Sequence, residues 1–128
     1  MKWPASALAI TGTVVVITLA HGSAAHAQAD FKLLAEKDIR ARVVGKDITD
    51  SSHWASYLRP DGKLLSDEMG RTWSGVWEIR KGRLCMSNPT SATLDCYEVW
   101  MSGPTIRLRG DKGEETLDAV VERHQSRD

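Results

Sequence analysis

Apolar and polar residues alternate along most of the chain after residue 50, and short glycine-containing segments interrupt the alternation. Strict alternation places successive side chains on opposite faces of a strand, so it predicts half-buried β-strands. Proline presets φ at the second position of a β-turn and glycine accepts a positive φ, so segments that combine them indicate turns. Turns are expected at Arg59-Pro60-Asp61-Gly62, Lys81-Gly82, Ser102-Gly103 and Asp111-Lys112-Gly113. Their regular spacing predicts antiparallel strands joined as hairpins.

A two-residue turn at Lys81-Gly82 gives residues 76–109 a definite register. It places Ile79 opposite Leu84, and the next hairpin then places Cys85 opposite Cys96. A type I turn with Gly82 as a bulge would shift this pairing by one residue. The expected core face carries Trp77, Ile79, Leu84, Met86, Tyr97, Val99, Ile106 and Leu108. The opposite face is expected to carry both cysteines and a charged set: Glu78, Arg80, Arg83, Glu98, Arg107 and Arg109. With a turn at Ser102-Gly103, Glu98 lies between Arg83 and Arg107.

One helix is predicted, within Asp30–Lys46 at the N-terminal side of the mature domain. Ala35, Ile39 and Val43 recur at helical spacing, and Gly45 is a typical C-terminal stop. Residues 1–29 are predicted to be a signal peptide, because Lys2 is followed by an uncharged stretch and then by small residues. Cleavage is expected after Ala27 or Ala29. An uncleaved membrane anchor is the alternative, and the short apolar segment argues against it.

Charge and length narrow the function classes. The chain contains 17 Lys and Arg and 17 Asp and Glu, and only Lys2 among them precedes residue 30. Residues 30–128 therefore carry one more acidic than basic residue, with the signs interspersed. This distribution does not predict nucleic-acid binding, which normally shows a basic patch. We expect a single β domain over residues 30–128, with no stable membrane anchor after cleavage of the signal peptide.

The two cysteines are predicted to form a structural disulfide. They lie eleven positions apart on neighbouring strands of a secreted domain, the setting in which disulfides persist. A redox pair more often has the pattern Cys-x-x-Cys, and a zinc site needs about four ligands. Residues 30–128 offer these two thiols and the histidines His53 and His124. No metal and no cofactor is expected.

The order of several short motifs resembles a group of small secreted proteobacterial domains of unknown function. The matching residues are Tyr57-x-x-Pro60-Asp61-Gly62, Gly75-x-Trp77-x-Ile79, Leu84-Cys85 and Cys96-Tyr97-x-Val99. The resemblance covers almost all of the mature chain and implies a bacterial periplasmic or secreted protein, without implying an activity. Gly75-x-Trp77 and the single disulfide are also similar to the small β-barrel inhibitors of secreted metalloproteases.

Catalytic chemistry has little support in the sequence. His53 is the histidine within a predicted strand segment, yet no nucleophile elbow, phosphate loop or metal-binding pair accompanies it. Asp67 and Glu68 are adjacent strand residues, so their side chains point to opposite faces and do not converge on one substrate. A small hydrolase or isomerase using His53 therefore remains the second alternative, and no catalytic residue is assigned.

Tryptophans provide the candidate binding surface. Trp77 has a core position, whereas Trp54, Trp73 and Trp100 are difficult to bury all at once, and exposed tryptophan is enriched at interfaces. The competing interpretation is that the helix covers Trp54 or Trp100. We expect seven or eight antiparallel strands in a small up-and-down sheet or barrel, filled by its own side chains. The predicted function is non-catalytic binding of a protein, for example an inhibited enzyme, through the three tryptophans and His53. A β-barrel that binds a small ligand is the first alternative.

Overall fold

The computed structural model describes residues 30–111 and 116–126, together with Gly12. Within these residues the chain is mainly β and forms a closed, eight-stranded antiparallel barrel with one additional strand and one helix. The elements are β1 Lys32–Leu33, α1 Glu36–Arg42, β2 Lys46–Thr49, β3 Trp54–Leu58, β4 Lys63–Glu68, β5 Arg71–Arg80, β6 Arg83–Asn88, β7 Ser91–Ser102, β8 Thr105–Gly110 and β9 Thr116–Arg123. Each strand from β2 to β9 pairs with its successor, and β9 pairs back with β2. The sheet therefore closes, as expected for an up-and-down barrel.

The helix differs from its prediction in extent and position. It spans only Glu36–Arg42 and does not begin the domain, because β1 precedes it and pairs with β7. Ile39 and Val43 are fully buried as predicted, whereas Ala35 is exposed at the N-cap. The predicted range was too long because its first residues pair with a strand distant in sequence. Such long-range pairing leaves no periodic signal in a two-residue segment.

The predicted core face is confirmed. All eight residues assigned to it belong to the hydrophobic core or pack against it. Trp77 also fixes the neighbouring turn, since its Nε1 donates to the Arg59 carbonyl oxygen at 2.8 Å and its backbone N–H donates to the Gly62 oxygen at 3.0 Å. The motif Gly-x-Trp therefore holds the Pro-Asp-Gly hairpin against the barrel.

The register is confirmed from β5 to β7. Ile79 lies opposite Leu84 and Cys85 opposite Cys96, and the two cysteines form a disulfide. The residues of the first turn, Lys81 and Gly82, have φ values of 53° and 74°. Two positive φ values are required by a type I′ turn, which favours a two-residue hairpin over the bulged alternative.

The register of the next hairpin was wrong by two residues. The turn lies at Gly103-Pro104, with Ser102 opposite Thr105 and Glu98 opposite Arg109 in place of Arg107. Gly103 has a φ of 55°, and proline fits the second central position of a turn that begins with a positive φ. Because side chains alternate with period two, a shift of two keeps every residue on its predicted face.

Two sequence-based expectations fall on residues outside the described ranges: a signal peptide, predicted for residues 1–29, and most of the turn predicted at Asp111-Lys112-Gly113. Across the part of the chain that is described, no helix has the length and hydrophobicity needed to span a bilayer.

Candidate functional site

The two ends of the barrel differ, because α1 covers only one of them. The backbone N–H of Gly45 donates to the Leu58 oxygen at 2.8 Å, and Arg42 Nη2 donates to the Gly103 oxygen at 3.0 Å. These bonds place α1 over the end where β3 finishes and β8 begins. Ile39 and Val43 are fully buried in the same hydrophobic cluster as Leu58 and Ile106. We call this the closed end; the opposite end, with the β2–β3 and β4–β5 connections, is the open end.

Packing is incomplete in the half of the barrel next to the open end. A cavity of about 270 Å³ lies there, lined by Ile48, Trp54, Ser56, Glu68, Met86, Leu108 and Leu117. These residues come from β2, β3, β4, β6, β8 and β9, so the cavity lies inside the barrel. The expectation that the chain fills its own barrel therefore holds only for the closed half.

Small residues on the inner face explain the unfilled volume. Ser56 and Ser66 are cross-strand partners in a row that continues to Ile48 on one side and Trp73 on the other. Their hydroxyl oxygens lie 2.5 Å apart, so one serine donates a hydrogen bond to the other within the wall. Serine has a smaller side chain than leucine or isoleucine. Because protein interiors are normally close-packed, two serines at core positions leave space that larger side chains would fill.

Polar groups around the cavity are few. Glu68 is the only charged residue among the seven that line it, and it is exposed at the open end. Trp73 lies on the inner face, and its Nε1 is buried without a hydrogen-bond partner among the described residues. A buried donor without an acceptor costs about 1–3 kcal/mol, but Trp73 is not among the residues that line the cavity.

The loops at the open end are held rigidly. Asp50 Oδ1 accepts hydrogen bonds from the backbone N–H groups of Ser52, His53 and Trp54 at 2.7–3.0 Å. These bonds, above all the one from His53, hold the pKa of the Asp50 carboxyl well below its usual range. The Met69 N–H donates to the His53 oxygen at 2.7 Å and ties the β4–β5 turn to the same loop.

His53 lies on this loop and points away from the barrel interior. Its side chain is 68% exposed, and Nδ1 lies 2.9 Å from Asp50 Oδ2. A second cavity, of about 380 Å³, contains His53 together with Asp67 and Glu122. Among the residues that the structure describes, His53 forms no hydrogen bond to a hydroxyl or thiol. Within the same residues, no three His, Cys, Asp or Glu side chains lie close enough to hold a metal ion.

The four predicted binding residues do not form one surface. Trp54 lines both the barrel cavity and the second cavity, His53 lines only the second, and Trp73 is part of the barrel wall. Trp100 lies on the outer face next to Leu33 of β1, where its Nε1 donates to Glu98 Oε2 at 3.1 Å. Trp54 and Trp100 are both partly buried, and the interpretation in which the helix covers one of them stays a prediction.

Sequence reasoning missed two groups of residues. Leu117 and Glu68 line the cavity, although Glu68 was considered only as half of a carboxylate pair. The alternation Leu117-Asp118-Ala119 was a usable signal for an inward-facing leucine on β9. The second group lies outside the barrel, where His124 stacks on Tyr57 with ring centroids 3.5 Å apart and Nδ1 2.8 Å from Asp47 Oδ1. This pair borders an outer groove of about 540 Å³ under the C-terminal segment.

Comparison of the chain with protein-family models, with curated proteins and with solved structures found no match. The site must therefore be interpreted from its own chemistry.

Proposed function

We propose that the protein binds a small, largely apolar molecule inside the open half of its barrel. The observation that supports this function is the internal cavity of about 270 Å³, which has one charged lining residue, Glu68, at its entrance. Drug-sized ligands occupy pockets of roughly 300–1,000 Å³, so a cavity below that range suits a smaller molecule. This is the small-ligand alternative of the sequence analysis, now preferred over a protein partner.

Packing energetics favour a ligand in this cavity. Apolar side chains that line a cavity lose dispersion contacts on the side that faces it. A molecule that fills the space restores those contacts and removes its own apolar surface from water. Ile48 and Leu108 are 1% exposed, and they provide a dry floor for the apolar part of the ligand.

The rigid entrance lowers the entropic cost of binding. Asp50 fixes the loop that leads into Trp54, and the Met69–His53 hydrogen bond joins this loop to the β4–β5 turn. A pre-organised site does not have to be ordered when the ligand arrives, so more of the contact energy appears as affinity.

A titration with cyclohexanol tests this function. We expect the nuclear magnetic resonance signals of the Trp54 indole and the Met86 methyl group to shift in a saturable manner. Leu117→Trp should abolish these shifts, because Leu117 is 43% exposed at the cavity entrance and a larger side chain there covers the opening. The matched control is Val76→Trp, since Val76 is 52% exposed on the outer face of β5. Binding that survives Leu117→Trp, or that is lost in both variants, contradicts the proposal.

Protein binding is the second candidate, supported by one exposed residue at the open end. Met69 is 81% exposed in the β4–β5 turn and lines the second cavity together with His53. Exposed methionine suits an adaptable contact surface. Co-purification from periplasm should then recover a partner with the native protein and with Val76→Asp, and lose it with Met69→Asp. Equal recovery with both variants would refute this use of the surface.

The proposed compartment is the periplasm or the extracellular space. The Cys85–Cys96 disulfide supports an oxidising environment, and the predicted signal peptide supplies a route of export. Thiol titration of the denatured periplasmic protein should find no free thiol, whereas two reactive thiols per chain would refute it.

A further inference from the structure

We infer that the ligand of the barrel cavity carries a positive charge, and that it is a small apolar amine whose ammonium group lies against Glu68 and Trp54. This inference rests on the proposed binding function and adds the chemical class of the ligand. It follows from the arrangement of charge, aromatic surface and apolar surface around the cavity.

Glu68 places a negative charge at the cavity entrance. It is the last residue of β4, and its carboxylate forms no hydrogen bond or ion pair with any residue of the ranges 30–111 and 116–126. The other six residues that line the cavity are uncharged. A cation that enters the cavity therefore meets one carboxylate that forms no ion pair.

Trp54 adds a second interaction that favours a cation. It lies directly opposite Glu68 in the β3–β4 pair, and both residues line the cavity. Directly opposed residues of an antiparallel pair have Cβ atoms about 4.5–5.5 Å apart, so one ammonium group can contact both side chains. The indole face attracts a cation through its quadrupole, and tryptophan does so better than the other aromatic residues.

The remaining lining determines the body of the ligand. Ile48, Met86, Leu108 and Leu117 are apolar, and Ser56 already shares a hydrogen bond with Ser66. A polar ligand body would lose its hydration here without replacement. The arrangement thus fits a molecule with one charged end and a compact hydrocarbon remainder.

Arg71 is the competing cation. It lies opposite Glu68 on the β5 side, yet no oxygen of Glu68 comes within 4.0 Å of its nitrogens. Its positive charge weakens the attraction of Glu68 for an amine without occupying the carboxylate. Removing Arg71 should therefore strengthen amine binding. Removing Glu68 should weaken it, so the two substitutions test the role of the Glu68 charge with opposite expected results.

The experiment compares cyclohexylammonium with cyclohexanol, two probes of similar shape that differ in charge. Calorimetric titration at neutral pH and low salt should show that the amine binds about three- to tenfold more tightly than the alcohol. Glu68→Gln should remove most of the preference for the amine and leave the smaller part that Trp54 provides, and Arg71→Gln should raise the amine affinity. Glu122→Gln is the matched control, because Glu122 is a carboxylate on the outer face that does not line the barrel cavity, and it should change neither affinity.

The outcomes separate this inference from the binding function. If cyclohexanol binds and the amine gains nothing from Glu68, the cavity function stands and the cationic ligand is refuted. If Glu122→Gln weakens amine binding as much as Glu68→Gln, the effect is one of net charge and the inference is also refuted. If neither probe binds at the cavity, the proposed function fails and this inference fails with it.

Discussion

The disulfide between β6 and β7 gives the most quantitative stability prediction. Replacing both Cys85 and Cys96 with alanine removes a cross-link between residues eleven positions apart. The chain-entropy model assigns a loop of this length about 3 kcal/mol of stabilisation. For a domain of this size, 1 kcal/mol corresponds to about 4–8 °C in Tm, so the double variant should melt roughly 12–24 °C lower. A loss of about 3 kcal/mol is a large share of the 5–15 kcal/mol that is typical for the free energy of unfolding of a small domain.

Thermal unfolding followed by circular dichroism measures this change. The native protein in excess reductant should approach the Tm of the double variant, while the variant should not respond to reductant. Because Cys85 is fully buried, the variant also loses some packing and should not melt above the reduced protein. A variant with the native Tm would show that the cross-link contributes nothing to stability, contrary to this reasoning.

Three further predictions concern the faces of the sheet, a close backbone contact and acid sensitivity. Glu98→Arg should lower the free energy of unfolding by about 1 kcal/mol at low salt and less at high salt, whereas Val99→Arg, at a fully buried position, should prevent folding at any salt concentration. If denaturant titrations showed that Val99→Arg is tolerated and Glu98→Arg prevents folding, Glu98 would face the core and Val99 the solvent, contrary to this structure. Gly75→Ala should cost about 1–3 kcal/mol, because the new Cβ would lie 2.4 Å from Cβ of Ser87; an unchanged midpoint in urea would refute this. The lowered pKa of Asp50 means that its stabilisation of the β2–β3 loop is complete above the ordinary value of 3.8 and is lost as the pH falls further. Amide hydrogen exchange in this loop should accelerate below that pH, after correction for the intrinsic rate, and Asp50→Asn should remove the pH dependence.

Local pattern was sufficient to predict the hairpins and their faces. Alternation assigned Leu84 and Val99 to the core, and one short turn at Lys81-Gly82 was enough to set the pairing of the cysteines. The segment before Thr105 offered glycine at 103 and proline at 104, and the turn uses both. A pattern with period two cannot distinguish registers that differ by two residues, so this error left the faces correct.

The cavity could not be predicted from local sequence patterns. Whether a barrel is filled depends on the summed volume of inward-facing residues from strands distant in sequence. Ser56 and Ser66 are ordinary strand residues in isolation, and their effect appears only when they lie side by side on the inner face. Likewise, the partner strand of Leu33 is nearly seventy residues away, which is why β1 was assigned to the helix.

A crystal structure after soaking with bromocyclohexane tests the central claim most directly, because anomalous scattering locates the bromine atom. We predict one bromine site inside the barrel, between Ile48, Met86 and Leu108, in the half opposite α1. Bromine in the outer groove beside Tyr57 and His124, with the barrel interior filled by rearranged side chains, would contradict it.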